Sequence, residues 1–271
     1  MLHWGKRKGG DMERVVISEV SGGILTMTLN RPAKKNALTN EMYGLLYEGL
    51  VRAERESEIR VVLIRGAEEN FTSGNDLSDF AAVVQGELKL EDLNVVHLIN
   101  TMVDFGKPIV AAVSGYAIGF GTTMLLHCDS VVAGKGAFFQ LPFVQLGLVP
   151  EFGSTRLFPR LAGKIRAHHY LMTGERFDAA TAFEMGMISR LCEDDQVDEA
   201  ALSICQRLAE APPAALRAIK ALTHPPQERE ALKGVILREL QQLQERLQSP
   251  EHWEAIQAFF EKRKPDFTRF S

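Results

Sequence analysis

Two short stretches near the start of the chain alternate between apolar and polar positions. Along Gly23–Leu29, Ile24, Thr26 and Thr28 interleave with Leu25, Met27 and Leu29. A side-chain period of two belongs to a strand with two different faces, so strands are expected over Val15–Glu19 and Gly23–Leu29, joined through Ser21-Gly22-Gly23. Asn30-Arg31-Pro32 breaks the second strand. The period then lengthens. Thr39 is placed to cap a helix over Glu41–Glu54 that gathers Met42, Leu45, Leu46 and Leu50 on one face. Val61–Arg65 and Pro108–Val113 are short, continuously apolar runs, as in parallel strands buried on both sides. Between them lie a loop over Phe71–Leu77, a mobile segment over Val83–Asp92 and a helix around Val95–Phe105. An apolar helix ending at His127 and strands at Ser130–Ala133 and Ala137–Leu141 follow.

From about Phe152 the pattern reads as helical almost throughout, interrupted at Gly163, Gly174, Pro212-Pro213, Pro225-Pro226 and Pro250. Alternating strands and helices followed by helices alone describe an α/β core with a helical C-terminal region. The expected divisions are a disordered tail over residues 1–11, a core over 12–205 and a helical region over 206–271, with Met12 as an alternative start. No fixed-period repeat is present.

Composition narrows the class. A chain of 271 residues, 45% hydrophobic, has enough apolar surface for one large domain or one domain plus a small appendage. A formal charge of −4 and a pI near 6.0 give no global attraction to nucleic acid or anionic membranes. The three cysteines, Cys128, Cys192 and Cys205, have no metal-ligand spacing and suit buried thiols in a reducing compartment. With no signal peptide and no apolar run long enough to span a bilayer, a soluble cytoplasmic protein is expected.

Candidate chemistry concentrates in a few places. Between Lys135 and Arg156 the only charged side chain is Glu151, in Leu-Gly-Leu-Val-Pro-Glu-Phe-Gly-Ser-Thr. Two readings stand side by side. Burial in an apolar stretch raises a carboxyl pKa and makes a proton carrier near neutral pH. An acid after Pro150 also suits the first turn of a helix. Two glycine loops follow strands, Phe71-Thr-Ser-Gly-Asn-Asp-Leu77 and Gly115-Tyr-Ala-Ile-Gly-Phe-Gly121, and the second opens a helix whose unpaired N–H groups favour negative charge. Neither is a dinucleotide fingerprint or a P-loop. His127 reads as a satisfied core histidine, and Asp76 as a cap for the next helix rather than a group that takes a proton.

The order and content of these motifs resemble the crotonase (enoyl-CoA hydratase/isomerase) superfamily from about Val15 to Phe267. The resemblance rests on Leu29-Asn-Arg-Pro32, Asn36-Ala-Leu38, Val61–Gly66, Phe71–Leu77, Lys107–Val113, Gly115–Asp129, Gly147–Thr155, Leu171–Gly174 and Phe260–Arg263. It implies an α/β superhelix of repeated ββα units in two roughly perpendicular sheets, with a helical C-terminal trimerisation region and a homotrimer or hexamer. It also implies a coenzyme A thioester as substrate, with coenzyme A entering only in that form and no separate cofactor or metal.

Carried onto this sequence, the resemblance makes the backbone N–H groups of Asn75 and Phe120 an oxyanion hole. Each such donor lowers an enolate-forming barrier by roughly 3–4 kcal/mol. It assigns acyl-CoA contacts to Lys34, Lys35, Ala37, Ser73, Gly74, Asp76, Leu77, Gly119, Phe143, Phe260 and Lys262. The hydratases of the family use two glutamates at the places held here by Thr123 and Phe143, which cannot activate water as an acid–base pair. Glu151 matches the peroxisomal-type Δ3,Δ2-enoyl-CoA isomerases, in which one glutamate moves a proton from C2 to C4. That makes Glu151 the expected catalytic base of a β-oxidation isomerase. Another crotonase reaction (hydratase, thioesterase or decarboxylase) and a non-catalytic acyl-CoA-binding scaffold are the alternatives.

Overall fold

A computed structural model describes residues 14–76 and 93–270 of the chain. The principal sheet has six strands: β1 (Val16–Ser21), β2 (Ile24–Leu29), β3 (Val61–Gly66), β4 (Ile109–Val113), β6 (Ser130–Gly134) and β9 (Arg190–Cys192). They lie in the order β1-β2-β3-β4-β6-β9; β1 is antiparallel to β2 and every other neighbour is parallel. A second sheet joins β5 (Tyr116–Ile118), β7 (Phe138–Gln140) and β8 (Arg176–Asp178).

Period-two side chains explain how the main sheet is covered. Ile24, Val61, Leu63, Val110, Ala112 and Val132 face one side, against Val197, Ala200, Ala201, Cys205 and Ala209. Those five residues lie on the helix over Val197–Glu210, and four are small, which lets its backbone approach the strands closely. The intervening residues Leu25, Met27, Leu29, Val62, Ile64, Ala111 and Val113 face the larger core. There α1 (Asn40–Arg55) packs with Met42, Leu46 and Leu50 buried, and Thr39 caps it by accepting from the Met42 N–H. Fully burying each such aliphatic side chain stabilises the fold by about 1.5–3 kcal/mol. Alongside it runs α2 (Asn94–Asp104), whose first N–H is taken by the Asn40 side chain.

The remaining helices are α3 (Phe120–Leu125), α4 (Ser154–Ala162), α5 (Lys164–Thr173), α6 (Ala179–Glu184), α7 (Val197–Glu210), α8 (Pro213–Thr223), α9 (Pro226–Leu247) and α10 (Pro250–Phe260). The expected boundary between residues 205 and 206 falls inside α7, which is unbroken there. Helix is interrupted where glycine and proline predict it, but two strands inside the expected helical stretch correct the sequence reading. Each of β8 and β9 has only three residues and adds to the edge of an existing sheet, so partner strands rather than local pattern define them. Strand β5 hides inside the second glycine loop for the same reason. Among the described residues no helix is long and apolar enough to cross a membrane. The thiols of Cys128, which is partly buried, and Cys205, which is buried, are free, and desolvation raises each pKa to about 12.

Candidate active site

Glu151 stands just before α4, and the backbone between them turns through the left-handed region twice, at Phe152 (φ 61°) and Gly153 (φ 72°). A non-glycine residue there costs on the order of 1–3 kcal/mol and persists only where its surroundings hold it. Here the Phe152 ring is buried, stacked on His127 at 3.8 Å and on Phe120 at 5.2 Å. Its carbonyl accepts from His127 Nε2 at 2.7 Å. Burial lowers the His127 pKa to about 4, so the ring is neutral and donates from that nitrogen. His127 is the satisfied histidine expected from sequence, and it also braces this turn.

The helix-cap reading of Glu151 is corrected by its partners. The carboxylate that caps α4 belongs to Glu239, on α9: Oε2 accepts from the Gly153 N–H at 2.6 Å and Oε1 from the Thr155 N–H at 3.0 Å and from the Thr155 hydroxyl. Ser154 Oγ donates to the Glu151 carbonyl at 2.6 Å, leaving the Glu151 side chain to other work. That side chain is 4% exposed. Its Oε1 accepts from Thr123 Oγ1 at 2.7 Å, and its Oε2 has no partner among the described residues. Burial raises its pKa to about 8; the Thr123 bond opposes this and the nearby Glu239 carboxyl adds to it. The carboxyl is therefore mostly neutral at pH 7 and a strong base once ionised.

The two glycine loops meet in front of this carboxyl. Along the first, almost every N–H is consumed: Thr72 by Tyr116 O, Ser73 by Lys35 O, Gly74 by the Thr72 hydroxyl, and Asp76 by Leu38 O. Asn75 is skipped, and among the described residues no acceptor takes its N–H. In the second loop Gly119 N–H donates to Gln140 O, while Thr122 and Thr123 N–H donate to Gly119 O. Phe120 is the first residue of α3, and its N–H is likewise left over. Glycine is required for this approach: a Cβ on Gly74 would lie 2.6 Å from Ile118 O, and one on Gly121 would lie 2.3 Å from Thr72 Cγ2.

Two cavities share Asn75, Asp76, Phe120, Glu151 and Leu243. The inner one is walled by Leu38, Tyr43, Leu93, Val95, Ile99, Leu240 and Leu243. The outer cleft brings in Arg31, Lys34, Ala37, Ser73, Gly74, Gly119, Phe143 and Phe260. An apolar inner chamber and a wider mouth edged by Arg31 and Lys34 suit an acyl chain attached to a polar, anionic carrier. Asp76 is held by Arg31 at 3.0 Å. The first loop is fixed by the buried Asn36, whose amide donates to Ala67 O and Asn70 O.

Two expected contacts stand elsewhere. Lys35 is not among the residues lining the cleft; its Nζ lies 5.9 Å over the Tyr116 ring. Lys262, left-handed just beyond α10, is absent from the lining as well. Leu77 and the segment Val83–Asp92 lie outside the described residues.

Sequence reasoning missed Tyr43 and Glu239. Tyr43 lines the inner chamber, donates a short hydrogen bond to Asn75 Oδ1 and packs edge-on to Phe120 at 4.9 Å. Glu239 had a visible signal: α9 buries Leu232, Ile236, Leu243 and Leu247, and Glu239 occupies that apolar stripe.

Comparison with known proteins identifies the family. The family model for enoyl-CoA hydratase/isomerase matches residues 19–269. A 1,2-epoxyphenylacetyl-CoA isomerase of Escherichia coli K12 is 34% identical over 95% of this chain and 99% of its own. A 2,3-dehydroadipyl-CoA hydratase of the same organism is 36% identical, covering 90% of this chain and 94% of its own. Enoyl-CoA delta isomerase 2 of Rattus norvegicus is 33% identical over 90% of this chain, which spans 62% of that longer protein. The crystal structure of an enoyl-CoA hydratase/isomerase from Pseudoalteromonas atlantica T6c superposes with a TM-score of 0.88 at 36% identity, covering 94% of this chain and all of that one. With its sheets, its helical C-terminal region and its paired glycine loops, the chain belongs to the enoyl-CoA hydratase/isomerase family of crotonase-fold enzymes.

Proposed function

We propose that this enzyme is a Δ3,Δ2-enoyl-CoA isomerase working through a single carboxyl group. The observation that carries the reading is the Glu151 side chain: buried, bonded on one oxygen, without a partner among the described residues on the other, and lining a largely apolar cavity. The ionised carboxyl removes a proton from C2 of a 3-enoyl thioester. The electron pair moves onto the thioester oxygen, where the N–H groups of Asn75 and Phe120 hold the developing charge. The same carboxyl then returns the proton at C4 as the double bond settles between C2 and C3. No water is consumed.

Hydration requires a second group to hold and polarise water. The two places where such groups would stand carry Thr123, whose hydroxyl is bonded to Glu151, and the buried phenyl ring of Phe143. The relative named an isomerase of delta enoyl-CoA supports this reading, while the hydratase relative of similar identity marks the competing reaction.

The test is turnover of 3-hexenoyl-CoA in heavy water by the wild type and by Glu151→Gln. Isomerisation without net addition of water, reduced by about 10²–10⁴-fold in the variant, is the expected result. A variant as fast as wild type, or a 3-hydroxyacyl product as the main one, would sink the proposal. Because Glu151 titrates at about pH 8, kcat/KM is expected to rise with pH and level off above that value.

A further inference from the structure

Thr123 carries one hydroxyl proton and meets two oxygens. Its Oγ1 lies 2.7 Å from Glu151 Oε1 and 3.2 Å from the Phe120 carbonyl oxygen. The side chain is fully buried, so no solvent competes for these bonds. One proton cannot satisfy both acceptors, and the shorter contact, to a carboxylate, is the stronger. Thr123 also sits one turn into α3, the helix whose first N–H belongs to Phe120. A single side chain thus touches both the expected base and the peptide framework of the expected oxyanion hole.

We propose that Thr123 is a positioning residue that gives the two oxygens of Glu151 different tasks: Oε1 is the anchored oxygen and Oε2 the proton carrier. The inference rests on Glu151 acting as the base. With Glu151 ionised, the Thr123 proton points to Oε1. After Oε2 has taken the C2 proton, Oε1 is the carbonyl oxygen of a neutral acid and still accepts the same bond. The hydroxyl need not turn during the shuttle, and the carboxyl cannot rotate to hide its proton from the substrate. If the proton sits on Oε1 instead, it donates to Thr123 Oγ1, whose own proton swings to the Phe120 carbonyl. That arrangement is idle, because the proton then faces protein. No covalent bond other than those to the moving proton changes in any of these states.

Thr123→Val removes the hydroxyl at nearly constant shape, and Thr123→Ser keeps it with less bulk. The valine variant is expected to lose about tenfold in kcat with little change in KM, to move the acid limb of its pH profile to higher pH, and to return less of a C2 deuterium label to C4. Serine is expected to restore all three towards wild type. An infrared carboxyl band, assigned to Glu151 by its loss in Glu151→Gln, gives a readout in substrate-free protein: its titration midpoint should rise in the valine variant and return with serine. A valine variant with unchanged midpoint and unchanged label transfer, or a serine variant as impaired as valine in both, overturns the inference. The two readings fail separately. If the band moves while Glu151→Gln keeps full turnover, the base assignment is wrong although the anchoring bond exists. If Glu151→Gln is inactive and the band does not move, the base stands and the anchoring role falls.

Discussion

Two buried glutamates show how differently one side chain behaves in two regions of this molecule. Glu151 is 4% exposed beside the cavity, with one hydroxyl donor and no cation bonded to it among the described residues, and its pKa is pushed up to about 8. Glu254, on α10, is 2% exposed, yet it accepts from Arg263, Arg269 and the Asp266 N–H, and its pKa is held down to about 2. Desolvation with little to offset it raises the first, and the bonds from Arg263 and the Asp266 N–H outweigh desolvation in the second. The C-terminal tail uses a saturated carboxylate to tie residues 263–269 back onto α10. The cavity keeps an under-satisfied one that is ready to change charge.

The largest expected break in this comparison comes from Glu151→Gln, which should abolish most isomerase activity while leaving the protein more stable near pH 8. Between about pH 4.5 and 8 the unfolded chain releases the Glu151 proton while the folded chain keeps it. Folding stability contributed by this group therefore falls as pH rises through that window. The gain in Tm from the glutamine, at least about 3 °C at pH 8, should shrink towards pH 5. Thermal melts across that range check it, and a variant less stable than wild type at pH 8 would contradict the assignment.

Glu254→Gln should do the opposite. Its carboxylate is favoured in the folded state, so its contribution is present above the unfolded carboxyl range and is lost as pH falls towards about 2. The variant should melt lower than wild type at pH 7, and the gap should close in acid. Limited proteolysis near residues 263–269 at pH 7 should quicken as well.

Glu239 sits between these extremes. It is 6% exposed and bonded through both oxygens, and burial still raises its pKa. Glu239→Gln turns one accepting oxygen into an NH2 group that faces an N–H at the start of α4, at a cost of about 1 kcal/mol in urea unfolding. Removing the neighbouring acid should also shift the acid limb of kcat/KM slightly downward. An acid limb that moves upward would show that the two carboxyls do not repel.

Much of this was legible because it is local. Thr39 before an apolar face, the glycines punctuating α4, α5 and α6, and a lone acid in an apolar run are all statements about neighbours in sequence. What stayed hidden depends on distant partners. The strands β8 and β9 exist because β7 and β6 offer edges. The capping role first weighed for Glu151 belongs to Glu239, because only folding brings α9 against α4. The availability of the Asn75 N–H likewise follows from what Lys35, Leu38 and Tyr116 do to its neighbours.

The clasp between Glu239 and α4 has a consequence for the order in which the molecule is made. A ribosome delivers the glycine loops and Glu151 well before α9, so a nascent chain carries the reactive corner with the first N–H groups of α4 still uncapped. Until residue 239 has emerged and docked, the left-handed turn at Phe152 lacks one of its two supports. The geometry around Glu151 is thus completed late in synthesis, and fragments ending before Glu239 should behave as folded sheet with an unset corner.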